Sequence, residues 1–162
     1  MPKILVLFAG QSTTLVDALA DGARAVRFSE VEVRRVRPAD ESTSGAHAIL
    51  EGVVQLVPYD AIVVGLSQAS GELDAEQRQV LNALASVASR PALENKIGSA
   101  FVTHATTGVS AGGVWPALSV LGDLGLLVVA PAGSDAEAAS ALGGRVAQLA
   151  AAMAHVRSHH HH

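Results

Sequence analysis

No cysteine occurs anywhere in the chain of 162 residues. Disulfides, thiolate metal sites and a cysteine nucleophile are therefore excluded. Aromatic residues are scarce, at 3%, with a single tryptophan at position 115. A formal net charge of −4 gives no support for nucleic-acid binding. The one basic cluster, Arg34-Arg35-Val36-Arg37, is simply the end of a strand. No long hydrophobic run is present: residues 124–132 are the longest, contain Gly125 and Pro131, and are far too short to span a bilayer. No membrane association is expected. There is also no basic segment followed by an apolar stretch and a cleavage site, so a cytoplasmic protein is expected. Residues 157–162, Arg157-Ser158-His159-His160-His161-His162, read as a vector scar and part of a purification tag. His47, His104 and His155 remain, on distant segments without metal-ligand spacing, so no metal is expected.

Hydrophobic residues make up 49% of the chain and charged residues 16%, with a mean hydropathy of +0.35. Much of the excess is Ala, Val and Leu, as in a sheet buried on both faces. Residues 3–8 predict a buried strand. Ser12 can cap the helix that follows, on which Leu15, Val16, Leu19, Ala23 and Val26 recur at helical spacing. Val31, Val33 and Val36 alternate with Glu32, Arg34 and Arg35, which predicts an edge strand with one wetter face. Further helices are predicted over 46–56 and 74–88, strands over 61–66 and 97–103, a short helix over 115–124, a strand over 126–130 and a last helix over 135–155. Strands and helices alternate without a repeat or linker. The pattern predicts one domain over residues 1–156: a three-layer, doubly wound α/β fold.

Three polar, glycine-bearing loops each follow an apolar strand. They are Gly10-Gln11-Ser12-Thr13-Thr14, Ser67-Gln68-Ala69-Ser70-Gly71 and Thr103-His104-Ala105-Thr106-Thr107-Gly108. Parallel strands with right-handed crossovers bring their C-terminal ends to one edge, where open α/β sheets bind ligands. Several chemistries fail there. The first loop has one glycine where a dinucleotide fingerprint needs Gly-x-Gly-x-x-Gly, and no lysine for an NTPase phosphate loop. Phe8-Ala9 and Leu66-Ser67 stand where a phospho-receiver domain needs acidic residues. No Gly-x-Ser-x-Gly elbow is present. Small hydroxyl residues and exposed N–H groups at a helix start can, however, hold a phosphate without a basic side chain. The same residues also suit a plain helix cap. Asp17, Asp21, Glu76 and Glu137 fall on predicted helix surfaces, in solvent.

Tyr59 to Gly65, Gly71-Glu72-Leu73, residues 95–103 and Gly112-Gly113 carry a resemblance. In them the chain is similar to the flavodoxin-like NAD(P)H:quinone oxidoreductases, the family of the tryptophan-repressor-binding protein, as a divergent member. The resemblance implies a five-stranded parallel sheet of order 2-1-3-4-5 and an FMN cofactor. It implies NAD(P)H as substrate, a quinone-like small-molecule electron acceptor, and a homodimer or larger assembly. By that likeness Gly10, Gln11, Ser12, Thr13 and Thr14 hold the FMN phosphate. Ser67, Gln68, Ala69, Ser70 and Gly71 lie along the flavin ring. Thr103, His104, Ala105, Thr106, Gly108, Gly112 and Gly113 wrap its edge. His104 is the catalytic candidate, bonding a flavin carbonyl or quinone oxygen or moving a proton; a structural histidine at a strand end is the alternative. Trp115 either stacks on a ring ligand or anchors helix packing beside Pro116. The run Val114-Trp115-Pro116-Ala117-Leu118 offers a contact between copies. Two departures are visible: residues 7–9 are Leu7-Phe8-Ala9 where flavodoxins have small or hydroxyl residues, and Glu72 replaces the family's asparagine. They keep a second reading open, the same fold acting as a binding or assembly module without flavin.

Overall fold

The computed structural model describes residues 2–8, 14–35, 59–66, 94–102, 114–131, 133 and 135–159. The helices expected over 46–56 and 74–88 lie outside them. The described elements are β1 (Lys3–Phe8), α1 (Thr14–Arg24), β2 (Glu30–Arg35), β3 (Ala61–Leu66), β4 (Ile97–Val102), α2 (Trp115–Asp123), β5 (Leu127–Val129) and α3 (Ala136–His159). Five parallel strands form one sheet in the order β2-β1-β3-β4-β5, as the resemblance implied.

The two central strands are apolar on both faces because both faces are covered. Residues 4–8 of β1 and all of β3 are buried. On one face α1 and α3 pack together over the sheet. α1 is amphipathic: Leu15, Val16, Leu19, Ala20 and Ala23 are buried, while Asp17 and Asp21 face water as expected. α3 brings Ala139, Leu142, Val146, Ala147 and Ala150 inward. The two helices cross at nearly bare backbone. A Cβ on Gly22 would stand 2.0 Å from the Ser140 carbonyl oxygen, and one on Gly143 would stand 2.0 Å from that of Leu19. α2 packs on β4 and β5. β1 runs to β2 in one direction and β4 to β5 in the other, so right-handed crossovers place α1 and α2 on opposite faces.

Four differences from the expected elements have local causes. Val26 falls beyond α1, which ends at Arg24; the chain then turns through Phe28 at φ 68°. β5 is three residues rather than five, because only Leu127–Val129 pair with β4. α3 starts at Ala136, with Asp135 as its cap: the Ala138 N–H donates to Asp135 Oδ1 at 2.8 Å. It also runs on to His159, since no glycine or proline follows Gly144 to end it.

β2 is the predicted edge strand with a wetter face. Val31 and Val33 pack against the core while Glu32 and Arg34 lie on the other face. There a polar cluster forms. The Tyr59 hydroxyl donates to Glu32 Oε2, and Arg34 Nε donates to Glu32 Oε1 at 2.8 Å. Lys3 Nζ sits 5.0 Å from the Tyr59 ring centroid, a cation–π distance. The Tyr59 bond first, and then Arg34, hold the Glu32 carboxyl below its ordinary range. Burial, with the Glu32 bond, pushes Tyr59 up to about 12.

Candidate functional site

The C-terminal ends of β1, β3 and β4 stand side by side. Phe8 pairs with Gly65, Gly65 with Phe101, and Leu66 with Val102, so the three strands end nearly level. The three candidate loops leave from these ends. Apart from Thr14, their residues lie outside the described ones: Gly10, Gln11, Ser12 and Thr13 in the first, Ser67, Gln68, Ala69, Ser70 and Gly71 in the second, and the third from Thr103 to Gly113, with His104. Glu72 and Glu76 lie outside them too.

Phe8, Gly65 and Phe101 form a row across three neighbouring strands on the α1/α3 face. Both rings are buried, at 5% and 3% exposure, and Gly65 between them in the row carries no side chain. Leu15 of α1 and Phe101 line one depression on that face. The first turn of α1 therefore stands beside a buried apolar floor, and its N–H groups carry the positive end of the helix. Thr14 opens this turn and is exposed. Asp17, in the same turn, points to water. A shallow depression lies between Leu15, Phe101, Pro131, Gly133, Asp135, Ala139 and Leu142; it has room for about one water and none for a ring system.

Trp115 begins α2 on this same edge of the sheet. The helix is anchored by Val114, Ala117, Leu118 and Leu121, all at most 2% exposed, while Trp115 is 58% exposed. The packing-anchor alternative for Trp115 is thereby overturned. Of the suggested contact run over residues 114–118, Val114, Ala117 and Leu118 are buried in the chain's own core. Pro116 stands in the first turn, and the cap residue Val114 makes no side-chain hydrogen bond to it. No acidic residue lies in that turn.

Among the described residues no group of three or more His, Cys, Asp or Glu is placed to hold a metal, and no helix is long and apolar enough to cross a membrane.

Sheet order, helix placement and strand-end edge together define a flavodoxin-like α/β protein. No family model matches the chain. Solved structures with this fold include the flavodoxin, WrbA-like protein from Agrobacterium tumefaciens, with a TM-score of 0.68 at 20% identity over 94% of this chain and 99% of that one. FerB, a flavoenzyme NAD(P)H:(acceptor) oxidoreductase from Paracoccus denitrificans, aligns with a TM-score of 0.60 at 11% identity over 94% and 97%. In sequence the chain is 34% identical over 117 residues to an NAD(P)H dehydrogenase (quinone) of Azorhizobium caulinodans, and 33% identical over the same length to one of Acidovorax ebreus. Each match covers 65% of this chain and 58% of the relative. The chain thus spans less than two thirds of the length of the curated relatives it matches. Over that stretch the chain is similar to proteins named NAD(P)H dehydrogenase (quinone), in keeping with the resemblance its residues carry.

Two features were not legible in the sequence, one at this edge and one by the N-terminal ends of β1 and β3. The phenylalanine row needs strand register, although Phe8 ends β1 and Phe101 stands one residue before the end of β4. The Tyr59–Glu32–Arg34 cluster joins positions 27 residues apart and leaves no local signal.

Proposed function

We propose that this chain binds FMN at the C-terminal edge of its sheet and reduces quinone-like acceptors with NAD(P)H. Overall, NAD(P)H and one proton would convert a quinone to its hydroquinone. The observation that carries this reading is the level ending of β1, β3 and β4 beside the first turn of α1. The relatives named NAD(P)H dehydrogenase (quinone) supply the chemistry.

The described residues fit such a cofactor in three respects. The first turn bears the positive end of the helix dipole, its first residue carries an exposed hydroxyl, and the strand ends beside it are apolar and buried. Gly10, Gln11, Ser12, Thr13 and Thr14 would hold the phosphate through N–H and hydroxyl donors, without a basic side chain. Ser67, Gln68, Ala69, Ser70 and Gly71 would lie along the ring. Thr103, His104, Ala105, Thr106, Gly108, Gly112 and Gly113 would border it, with Trp115 at the rim. His104 would bond a ring carbonyl or acceptor oxygen and move a proton there. When bound, FMN supplies the two-electron relay between nicotinamide and acceptor; the protein supplies orientation and a dry site. A single domain over residues 1–156, a cytoplasmic location and a homodimer or larger assembly belong to the same proposal.

A second reading keeps the fold and drops the flavin. Glu72, in place of the family's asparagine, favours it, because a carboxylate beside the pyrimidine edge opposes an anionic reduced flavin. Titration separates the two. Purified protein is expected to be yellow, or to quench added FMN fluorescence with micromolar affinity. Neither effect at low ionic strength with pure FMN would leave the binding module standing.

A further inference from the structure

We propose that Trp115 is the residue that selects the electron acceptor: its indole offers a stacking face to a planar, electron-poor ring such as a quinone, and so favours ring acceptors over compact ones. This rests on the functional reading above and adds to it a division of labour. The flavin would be gripped by the loops after β1, β3 and β4, and Trp115 would face what comes and goes.

The exposure of Trp115 argues for this division. α2 is held to the sheet by the buried Val114, Ala117, Leu118 and Leu121, while more than half of Trp115 is exposed. A tryptophan left mostly exposed, with no polar partner among the described residues, has a large apolar face available to a transient ligand. The other large exposed apolar residues among those described are Phe28, Leu127, Val128 and Val156. Phe28 follows α1 and precedes β2, at the opposite edge of the sheet. Trp115 is thus the exposed aromatic on the ligand edge among the described residues.

Its backbone is also restrained. Pro116 fixes its own φ and narrows the conformations open to the residue before it. Val114, buried at 1% exposure, holds the other side. An indole on a fixed backbone loses little freedom when a ring docks, which favours binding. No acidic residue stands in the first turn of α2. The electron-rich face of indole pairs well with the electron-poor ring of a quinone, whereas an octahedral anion such as ferricyanide offers no face to stack.

Because the chain has a single tryptophan, its emission reports this position alone. The experiment uses the FMN-loaded protein with 1,4-naphthoquinone and ferricyanide as acceptors and NADPH as donor. Naphthoquinone is expected to quench the remaining tryptophan emission along a saturable curve, where free N-acetyltryptophanamide gives a linear one. Trp115→Ala is expected to lower the ratio of kcat/KM for naphthoquinone to that for ferricyanide by roughly tenfold, chiefly through KM. Trp115→Phe, which keeps a ring, is expected to restore most of that ratio. Linear quenching, or an unchanged ratio in Trp115→Ala with circular dichroism intact, overturns the proposal while FMN binding stands. Absence of FMN binding, read from flavin fluorescence in the unmodified protein, overturns the functional reading and this proposal together.

Discussion

β2 and β5 hold equivalent places at the two edges of one sheet, yet they meet water by different means. β2 is six residues long and turns Glu32 and Arg34 to one face, where Tyr59 and Lys3 join them. Charge on an edge strand discourages pairing with another chain. β5 is three residues long and leaves Leu127 and Val128 at 43% and 38% exposure. Its protection is its shortness. The polar flank is finished within the chain, whereas the apolar flank, with α2 and Trp115 alongside, remains free to take a ligand or a second copy.

If the two flanks are additions to a shared frame, damage to the frame must cost most. Gly143→Ala puts a Cβ 2.0 Å from the Leu19 carbonyl oxygen, where backbone cannot yield easily. A loss of about 3 kcal/mol is expected in urea unfolding. A loss under about 0.5 kcal/mol would show that α1 and α3 do not cross there. Next comes the polar flank. Tyr59→Phe removes the donor to Glu32, and a loss of about 1 kcal/mol is expected.

That loss should depend on pH in a defined sense. The carboxyl of Glu32 is held below its ordinary value of 4.5, so its stabilisation is present above that pH and fades as acid is added. Tyr59 is raised from 10.0 to about 12, so its share falls as pH climbs between those values. The difference in unfolding free energy between Tyr59→Phe and the unmodified chain should therefore be widest near neutrality and shrink toward both extremes. A difference flat from acid to alkali would break the account of this flank. The smallest effect belongs to the apolar flank. Leu127→Thr should change stability by no more than about 0.5 kcal/mol if β5 faces water. A clearly larger loss, with a fall in mass by light scattering, would show that a second copy covers it.

Much of this frame was legible beforehand, for a physical reason. β3 is a continuous apolar run closed by Pro58-Tyr59-Asp60 on one side and a polar loop on the other, and its predicted bounds are those observed. The alternation of Val31 and Val33 with charged neighbours showed the wetter face of β2. The five inward residues of α1 follow helical spacing, and four of them were named from it. The α1–α3 crossing was not legible, because Gly22 and Gly143 acquire meaning only when two distant helices meet. The partner of Glu32 was hidden likewise. At the site, loop chemistry and the neighbourhood of the strand ends could be read beforehand; register added the phenylalanine row, and burial showed Trp115 to be exposed.

The central claim is that donors at the start of α1 grip a phosphate above this dry edge. Titrating FMN into the unmodified protein and into a Ser12→Asp/Thr14→Asp double variant, by flavin fluorescence at low ionic strength, tests it most directly. Micromolar binding that weakens by about tenfold or more in the double variant is the predicted result. Equal affinity in both proteins would contradict the claim, since two added carboxylates cannot leave a phosphate at that helix end undisturbed.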